Sequence, residues 1–317
     1  MRVFLAGATG AVGRQLVPQL VRDGHHVIAT TRTEAKVDAL WNLGAEPVVL
    51  DALDAAAVGE AVAKAEPDAI VHQLTALTGQ SDLKHFDRTF AQTNQLRTVG
   101  TDNLLAAARA AGVRRFVAQS FAGWPSGPAR PGQPATLSTE DDPFDPAPPK
   151  HQRQSLAAIQ HVERAVTSAP LDGVVLRYGL LYGPVASEDW VRLLRKRRLP
   201  IVGDGGGIWS MTHVDDAAAA AVAALTATPG IYDVVDDEPA PVREILAELA
   251  AAAGARPPSR VPVWLARPLA GEVGVAMMTR SRGVSNAKAR RELGWTPRWA
   301  TWRDGFRRGL GIAGDAG

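Results

Sequence analysis

A chain of 317 residues, 46% hydrophobic and 21% charged, has apolar content for a sizeable core and suggests two domains or one large α/β unit. A net charge of +2 excludes a basic face built for nucleic acid, and the absence of cysteine excludes disulfides, a thiolate nucleophile and a Cys-ligated metal, so no metal site is expected. The alanine-rich run at 217–225 falls far short of the ~20 residues that span a bilayer, so the chain is expected to be cytoplasmic, without membrane contact.

Short apolar runs alternate with helical patterns through the first half, which predicts βαβ units and a parallel sheet. VFLAG (3–7) reads as a strand, and AVGRQLVPQLVRDG as a helix closed by Gly24. The strand HVIATTR, the helix EAKVDALWNLG, the strand PVVLD, the helix DAAAVGEAVAKA and the strand DAIVHQL follow. A long helix through NQLRTVGTDNLLAAARAAG ends at Gly112, and RRFVAQS supplies the next strand. Each strand is almost wholly apolar, as a sheet covered on both faces requires.

Between Trp124 and Pro149 the prolines exclude helix and central strand, which leaves a long loop placed to act as a lid. The helix-forming stretch from Lys150 and the strand GVVLRYG come next, then a less regular final third rich in Trp, Pro and Arg. RKRR at 195–198 reads as the solvated end of a helix. The fold expected is a Rossmann-type, doubly wound parallel α/β sheet over 1–178, rejoined by the chain at 213–235. A smaller, interleaved substrate lobe is expected within 179–317.

GATGAVG (7–13) stands directly after a strand and opens a helix. There Gly7 permits the tight turn, Gly10 lets backbone approach a pyrophosphate, and Gly13 lets helix and strand pack closely. Thr9, Ala11 and Val12 complete this loop, whose phosphates would sit on the helix N-terminus. After the second strand the chain has Thr31 and Arg32 where an acid would bind the ribose of NAD. A guanidinium suits a 2′-phosphate, so NADP(H) is favoured over NAD(H).

With these residues in view, the chain resembles the extended short-chain dehydrogenase/reductases, the NAD-dependent epimerase/dehydratase family. The resemblance runs over nearly the whole length: GATGAVG, VVLDALD, IVHQLTA, GTDNLLAAARAAGVRRFV, LRYGLLYGP and IVGDGGGIWSMTHVDDAAAA all resemble family segments. It implies that Asp51 meets the adenine, with Ala52 and Leu53 lining the ring. It also implies that the stretch from His72 to Ala76, with Leu74 and Thr75, passes beneath the nicotinamide ribose. Thr78 is a further candidate there, while His72 and His213 are expected to be structural.

The family's catalytic helix carries Tyr and Lys four residues apart, and by resemblance those positions hold His151 and Ser155. Composition gives the same result: the three tyrosines, Tyr178, Tyr182 and Tyr232, are followed four residues on by Tyr182, Ala186 and Asp236. A phenol of pKa ~10 needs a neighbouring ammonium to act as acid–base, whereas an imidazole near 6.5 does not. His151 could therefore replace the pair, with Ser155 holding the ribose, or the pair could simply be lost. Ser120 is the hydroxyl nearest the family's third catalytic position, for which Phe121 is the other candidate; Ser120 would either orient a substrate or satisfy backbone.

Phe121, Trp124, Tyr178, Trp190, Trp209 and Met211 are the candidate substrate wall, suited to a small nonpolar or aromatic molecule. The resulting expectation is an NADP(H)-dependent oxidoreductase acting on a small carbonyl or alcohol. A non-catalytic NADP(H) sensor and a non-redox lyase or isomerase are the alternatives. The resemblance also implies a homodimer through the helices at 86–111 and 151–168.

Overall fold

The computed structural model describes residues 1–77, 82–128 and 137–311. Its centre is a sheet of seven strands: β1 (Arg2–Ala6), β2 (His26–Thr31), β3 (Glu46–Val49), β4 (Ala69–His72), β5 (Arg115–Phe121), β6 (Asp172–Tyr178) and β7 (Gly230–Val234). They lie in the order β7-β6-β5-β4-β1-β2-β3, and every pairing is parallel. The order reverses between β1 and β4, which opens a crevice at their C-terminal ends.

Alternation along the strands explains why both faces are covered. Val3 and Leu5 point into one core with the helices Ala11–Arg22 and Val214–Ala223. Phe4 and Ala6 point into the other, with Ala55–Ala65, Thr101–Ala110 and Arg153–Ser168. Asp54 caps the Ala55–Ala65 helix by accepting from the Ala56 and Ala57 amides, both at 3.0 Å. The long helix expected to end at Gly112 is interrupted by a π-helical turn at Leu96–Gly100. Such insertions leave no period in the sequence to read.

A second core is built from Glu188–Arg195, Val242–Ala252, Val263–Thr279 and Trp302–Arg308, with three two-stranded pairs around it. Several arginines of this region are paired: Arg303 reaches Glu238 and Glu244, Arg290 reaches Asp237, and Arg307 reaches Glu248. Of the Trp124–Pro149 loop, residues 129–136 lie outside the described residues. The remainder is tied down rather than loose. Ser138 donates its amide to the Gly283 carbonyl (2.8 Å) and accepts from the Ser285 amide (2.9 Å), while the Asp145 amide reaches the Pro125 carbonyl (2.8 Å). Among the described residues, no helix is long and apolar enough to cross a membrane.

Candidate active site

The glycine loop lies in the β1/β4 crevice. Gly7 has φ +98°, and a Cβ on it would sit 2.7 Å from the Gln73 carbonyl oxygen just after β4. A Cβ on Gly13 would lie 2.3 Å from the Gly7 carbonyl oxygen. Gly10 is exposed and caps the Ala11–Arg22 helix without a side chain, so the first-turn amides keep their donors for an anion. Thr9 is half-buried and its carbonyl accepts from Arg14 Nε, Ala11 is half-buried, and Val12 packs into the core. The cradle fits a dinucleotide pyrophosphate.

At the end of β2, Thr31 is buried and its hydroxyl is engaged with the backbone of Thr33, which shapes the turn. Arg32 is exposed, with no hydrogen bond or ion pair among the described residues. After β3, Asp51 accepts from the Leu53 amide (3.0 Å), and Asn103 Nδ2 holds the Ala52 carbonyl (2.9 Å). Ala52 is buried and Leu53 half-buried.

After β4, His72 Nδ1 accepts from the Leu74 amide (3.2 Å), which puts its hydrogen on Nε2, facing Thr101 Oγ1 (3.1 Å). Burial lowers this imidazole to about 4, so it is neutral and structural. Leu74 and Thr75 are half-buried beside it, and the Leu74 carbonyl accepts from Gln119 Nε2. Thr78 lies outside the described residues. His213 is likewise structural: Nδ1 caps the Val214–Ala223 helix at the Asp215 amide (3.1 Å), and Nε2 faces the Gly309 carbonyl (2.9 Å).

No hydrogen bond joins the three candidate catalytic residues. His151 is exposed on a 3₁₀ turn, Lys150–Gln152, with no hydrogen bond or ion pair among the described residues. Ser155 is fully buried: its hydroxyl donates to Asp87 Oδ1 (2.8 Å) and accepts from Asn94 Nδ2 (3.0 Å). Asp87 also takes the Ser155 amide on Oδ1 (2.8 Å) and the Gln154 amide on Oδ2 (3.1 Å), closing the N-terminus of the Arg153–Ser168 helix. Ser120 is buried between β5 and that helix, where it donates to Glu163 Oε1 (2.7 Å). Glu163 in turn is held bidentately by Arg177, at 2.8 and 2.7 Å.

The predicted substrate wall divides. Phe121 and Trp124 do meet, with ring centroids 6.1 Å apart, and are joined by Phe86 and Phe90, which sequence reasoning missed. Tyr178 instead belongs to the sheet core: it is 1% exposed, and its phenol donates to the Ala217 carbonyl and accepts from Gln73 Nε2, both at 3.2 Å. Trp190, Trp209 and Met211 belong to the second core; Trp190 and Trp209 stack edge-on at 5.4 Å, and Trp209 Nε1 donates to the Met277 carbonyl. For Tyr178, Trp209 and Met211 the reason is strand alternation, since a large apolar residue near a strand end serves the interior as readily as a cleft, and Trp190 lies on the Glu188–Arg195 helix packed against the same core.

Asp87, Asn94, Glu163 and Arg97 were also missed. Arg97 stands on the π-helical turn and is 8% exposed, with Nε sealed from solvent and without a partner among the described residues. Burial lowers its guanidinium to about 10 against the opposing field of Glu163. Gln73 Oε1 and Asn94 Oδ1 are also buried without partners among the described residues. None of these has a local sequence signature, because each is defined by what packs over it.

This crevice, glycine loop and strand order define a dinucleotide-binding enzyme of the Rossmann class. The pattern of the NAD dependent epimerase/dehydratase family matches residues 3–234, and the chain belongs to that family. It is 43% identical, over 97% of this chain and 100% of the relative, to the 3-diazoavenalumate denitrifying reductase of a Streptomyces species. It is 31% identical, over 80% of this chain and 76% of the relative, to the 2-alkyl-3-oxoalkanoate reductase of Stenotrophomonas maltophilia (strain K279a). Among solved structures it is similar to the UDP-glucose 4-epimerase of Thermus thermophilus in complex with NAD, with a TM-score of 0.75, 25% identity and 98% of each chain covered. These relatives support an NAD(P)-dependent oxidoreductase of the extended short-chain dehydrogenase/reductase kind.

Proposed function

We propose that this chain is an NADPH-dependent reductase that removes a diazo group from a small aromatic or conjugated molecule with release of dinitrogen. The observation that carries this reading is that, among the described residues, neither candidate serine and none of the tyrosines is placed as a proton donor. Ser155 and Ser120 spend their hydroxyl hydrogens on Asp87 and Glu163. The three tyrosines are 1–2% exposed: Tyr178 and Tyr232 donate to carbonyls, and Tyr182 packs between His213 and Phe306.

Reduction of a carbonyl builds negative charge on oxygen and needs an acid there. Hydride addition to a diazonium cancels a positive charge and needs no acid in that step. When bound, the reduced nicotinamide supplies the hydride, and the balance is R–N2⁺ + NADPH → R–H + N2 + NADP⁺. Addition at the outer nitrogen gives R–N=NH; this loses its N–H proton, the C–N bond breaks with release of N2, and the carbon takes up a proton. Similarity at 43% identity to a relative named for a diazo substrate supports this acceptor.

In this reading the glycine loop and helix amides hold the pyrophosphate, Arg32 takes the 2′-phosphate, Asp51 to Leu53 meet the adenine, and Leu74 and Thr75 lie under the nicotinamide ribose. Phe121, Trp124, Phe86 and Phe90 flank the substrate ring. Ser155 and Asp87 fix the helix, and Ser120 is structural. A second reading, reduction of a small carbonyl with His151 as proton donor, is favoured by the free exposure of His151 and by the oxoalkanoate reductase relative.

The test is NADPH oxidation with arenediazonium carboxylates and with 3-oxo acids, against a protein-free control, for wild type and His151→Ala. Diazonium reduction with matching release of N2, retained in the variant, is the expected result. Turnover confined to oxo acids and abolished in the variant would establish the second reading. NADPH binding with neither consumed would point to a sensor.

A further inference from the structure

Phe86, Phe90, Asn94 and Arg97 follow one another at spacings of four, four and three. The backbone is helical through them: the Phe90 amide donates to the Phe86 carbonyl (2.9 Å), and the Asn94 amide to the Phe90 carbonyl (2.8 Å). Such spacings bring Phe86, Phe90 and Asn94 to one side of the helical run, and the π-helical turn Leu96–Gly100 continues that run to Arg97. The run begins in the aromatic group, where Phe86 meets Trp124 edge-on at 5.5 Å, and passes the Asn94–Ser155 contact on the catalytic-position helix. It ends at Arg97, whose side chain has no hydrogen bond or ion pair among the described residues.

A buried cation without a counter-charge is costly unless an anion joins it. Among the described residues none pairs with it: Glu163 contributes a favourable field but no hydrogen bond or ion pair. Both Glu163 oxygens are taken by Arg177, one of them by Ser120 as well. His72 presents a neutral ring, and Asp87 is occupied by three donors from residues 154 and 155. The guanidinium therefore keeps its fork for a ligand, and a carboxylate is the planar partner it matches bidentately.

We infer that Arg97 is the anion-recognition group of this site, and that the substrate is a conjugated aryl carboxylate whose ring lies along Phe86, Phe90, Phe121 and Trp124 while its carboxylate pairs with Arg97. This rests on the reductase reading only for the location of the site. The geometry requires neither the diazo group nor a particular acceptor.

The experiment is equilibrium binding to the NADP⁺-loaded protein of cinnamate and of cinnamamide, which has the same outline without the charge. Wild type is expected to prefer cinnamate about tenfold or more. Arg97→Gln should lose the preference, Arg97→Lys should keep part of it, and all three proteins should bind NADP⁺ within about twofold of one another. Absence of a preference in wild type overturns the inference, as does a preference that survives Arg97→Gln. A loss of NADP⁺ affinity in Arg97→Gln as large as the loss for cinnamate also overturns it, by assigning Arg97 to the cofactor. The assay involves no turnover, so failure of diazo reduction and failure of anion recognition are read separately.

Discussion

One oxygen of Asp87 holds both the amide and the hydroxyl of Ser155, each at 2.8 Å. The helix that carries the family's catalytic positions is thus capped from a different segment, and the residue at the lysine position is bound to the cap. Asp87→Ala leaves two helix amides and a buried hydroxyl without their acceptor, and should destabilise the protein by about 2 kcal/mol. Asp87→Asn, which keeps one acceptor oxygen, should lose about half of that. Urea unfolding of the three proteins measures both.

Ser120 and Glu163 should separate as stabilising rather than reacting groups. Ser120→Ala removes one donor to a carboxylate that Arg177 still holds, and is expected to lower stability by about 1 kcal/mol while leaving turnover within about threefold. Glu163→Ala strands a buried guanidinium and should lower stability by about 3–5 kcal/mol. Loss of turnover without loss of stability in Ser120→Ala would instead place that hydroxyl on substrate.

Arg32 is exposed and unpaired among the described residues at the end of β2. Arg32→Ala should weaken NADPH about tenfold or more, as removal of one charge-assisted phosphate contact does, and leave NADH nearly unaffected. Equal weakening of both cofactors would place the guanidinium on the adenine face rather than on the 2′-phosphate.

His72 gives stability a pH dependence of definite sign. Its folded pKa is lowered by burial to about 4, against about 6.5 unfolded, so below neutrality the unfolded chain binds the extra proton. The stabilisation is complete above pH ~6.5 and is lost as pH falls toward 4, by about 3 kcal/mol in all. His213 acts in the same direction, since burial lowers it too. Asp233 and Asp236 are raised well above the usual carboxylate range by burial and act oppositely. The His72 part is therefore read as a difference: unfolding free energies of wild type and His72→Gln between pH 4 and 7 should converge as pH falls.

Much of this molecule is legible along the chain. VFLAG, HVIATTR and RRFVAQS are strands because apolar residues on both alternations can only serve a sheet covered twice, as Val3 and Leu5 on one face and Phe4 and Ala6 on the other show. GATGAVG reads as a phosphate loop because the close approaches of Gly7 and Gly13 are to backbone that the strand–turn–helix unit itself brings near, together with Gln73 from the adjoining strand. The lack of any Tyr-x-x-x-Lys is a matter of composition and needs no coordinates.

Spacing within one element settles which side chains share a face, so the sheet, the dinucleotide loop and the missing acid–base pair all follow from the order of residues. The fate of the vacated positions does not, because it was fixed by packing between distant segments. Ser155 is bound to Asp87, 68 residues away, and Ser120 to Glu163, 43 residues away. Tyr178 and Met211 turned into cores rather than a substrate wall, and Arg97 was buried without a partner among the described residues. These relations depend on which helix packs across which strand, and a hydroxyl, a phenol or a guanidinium carries the same letter whether the neighbour that packing gives it is a carboxylate, a carbonyl or none.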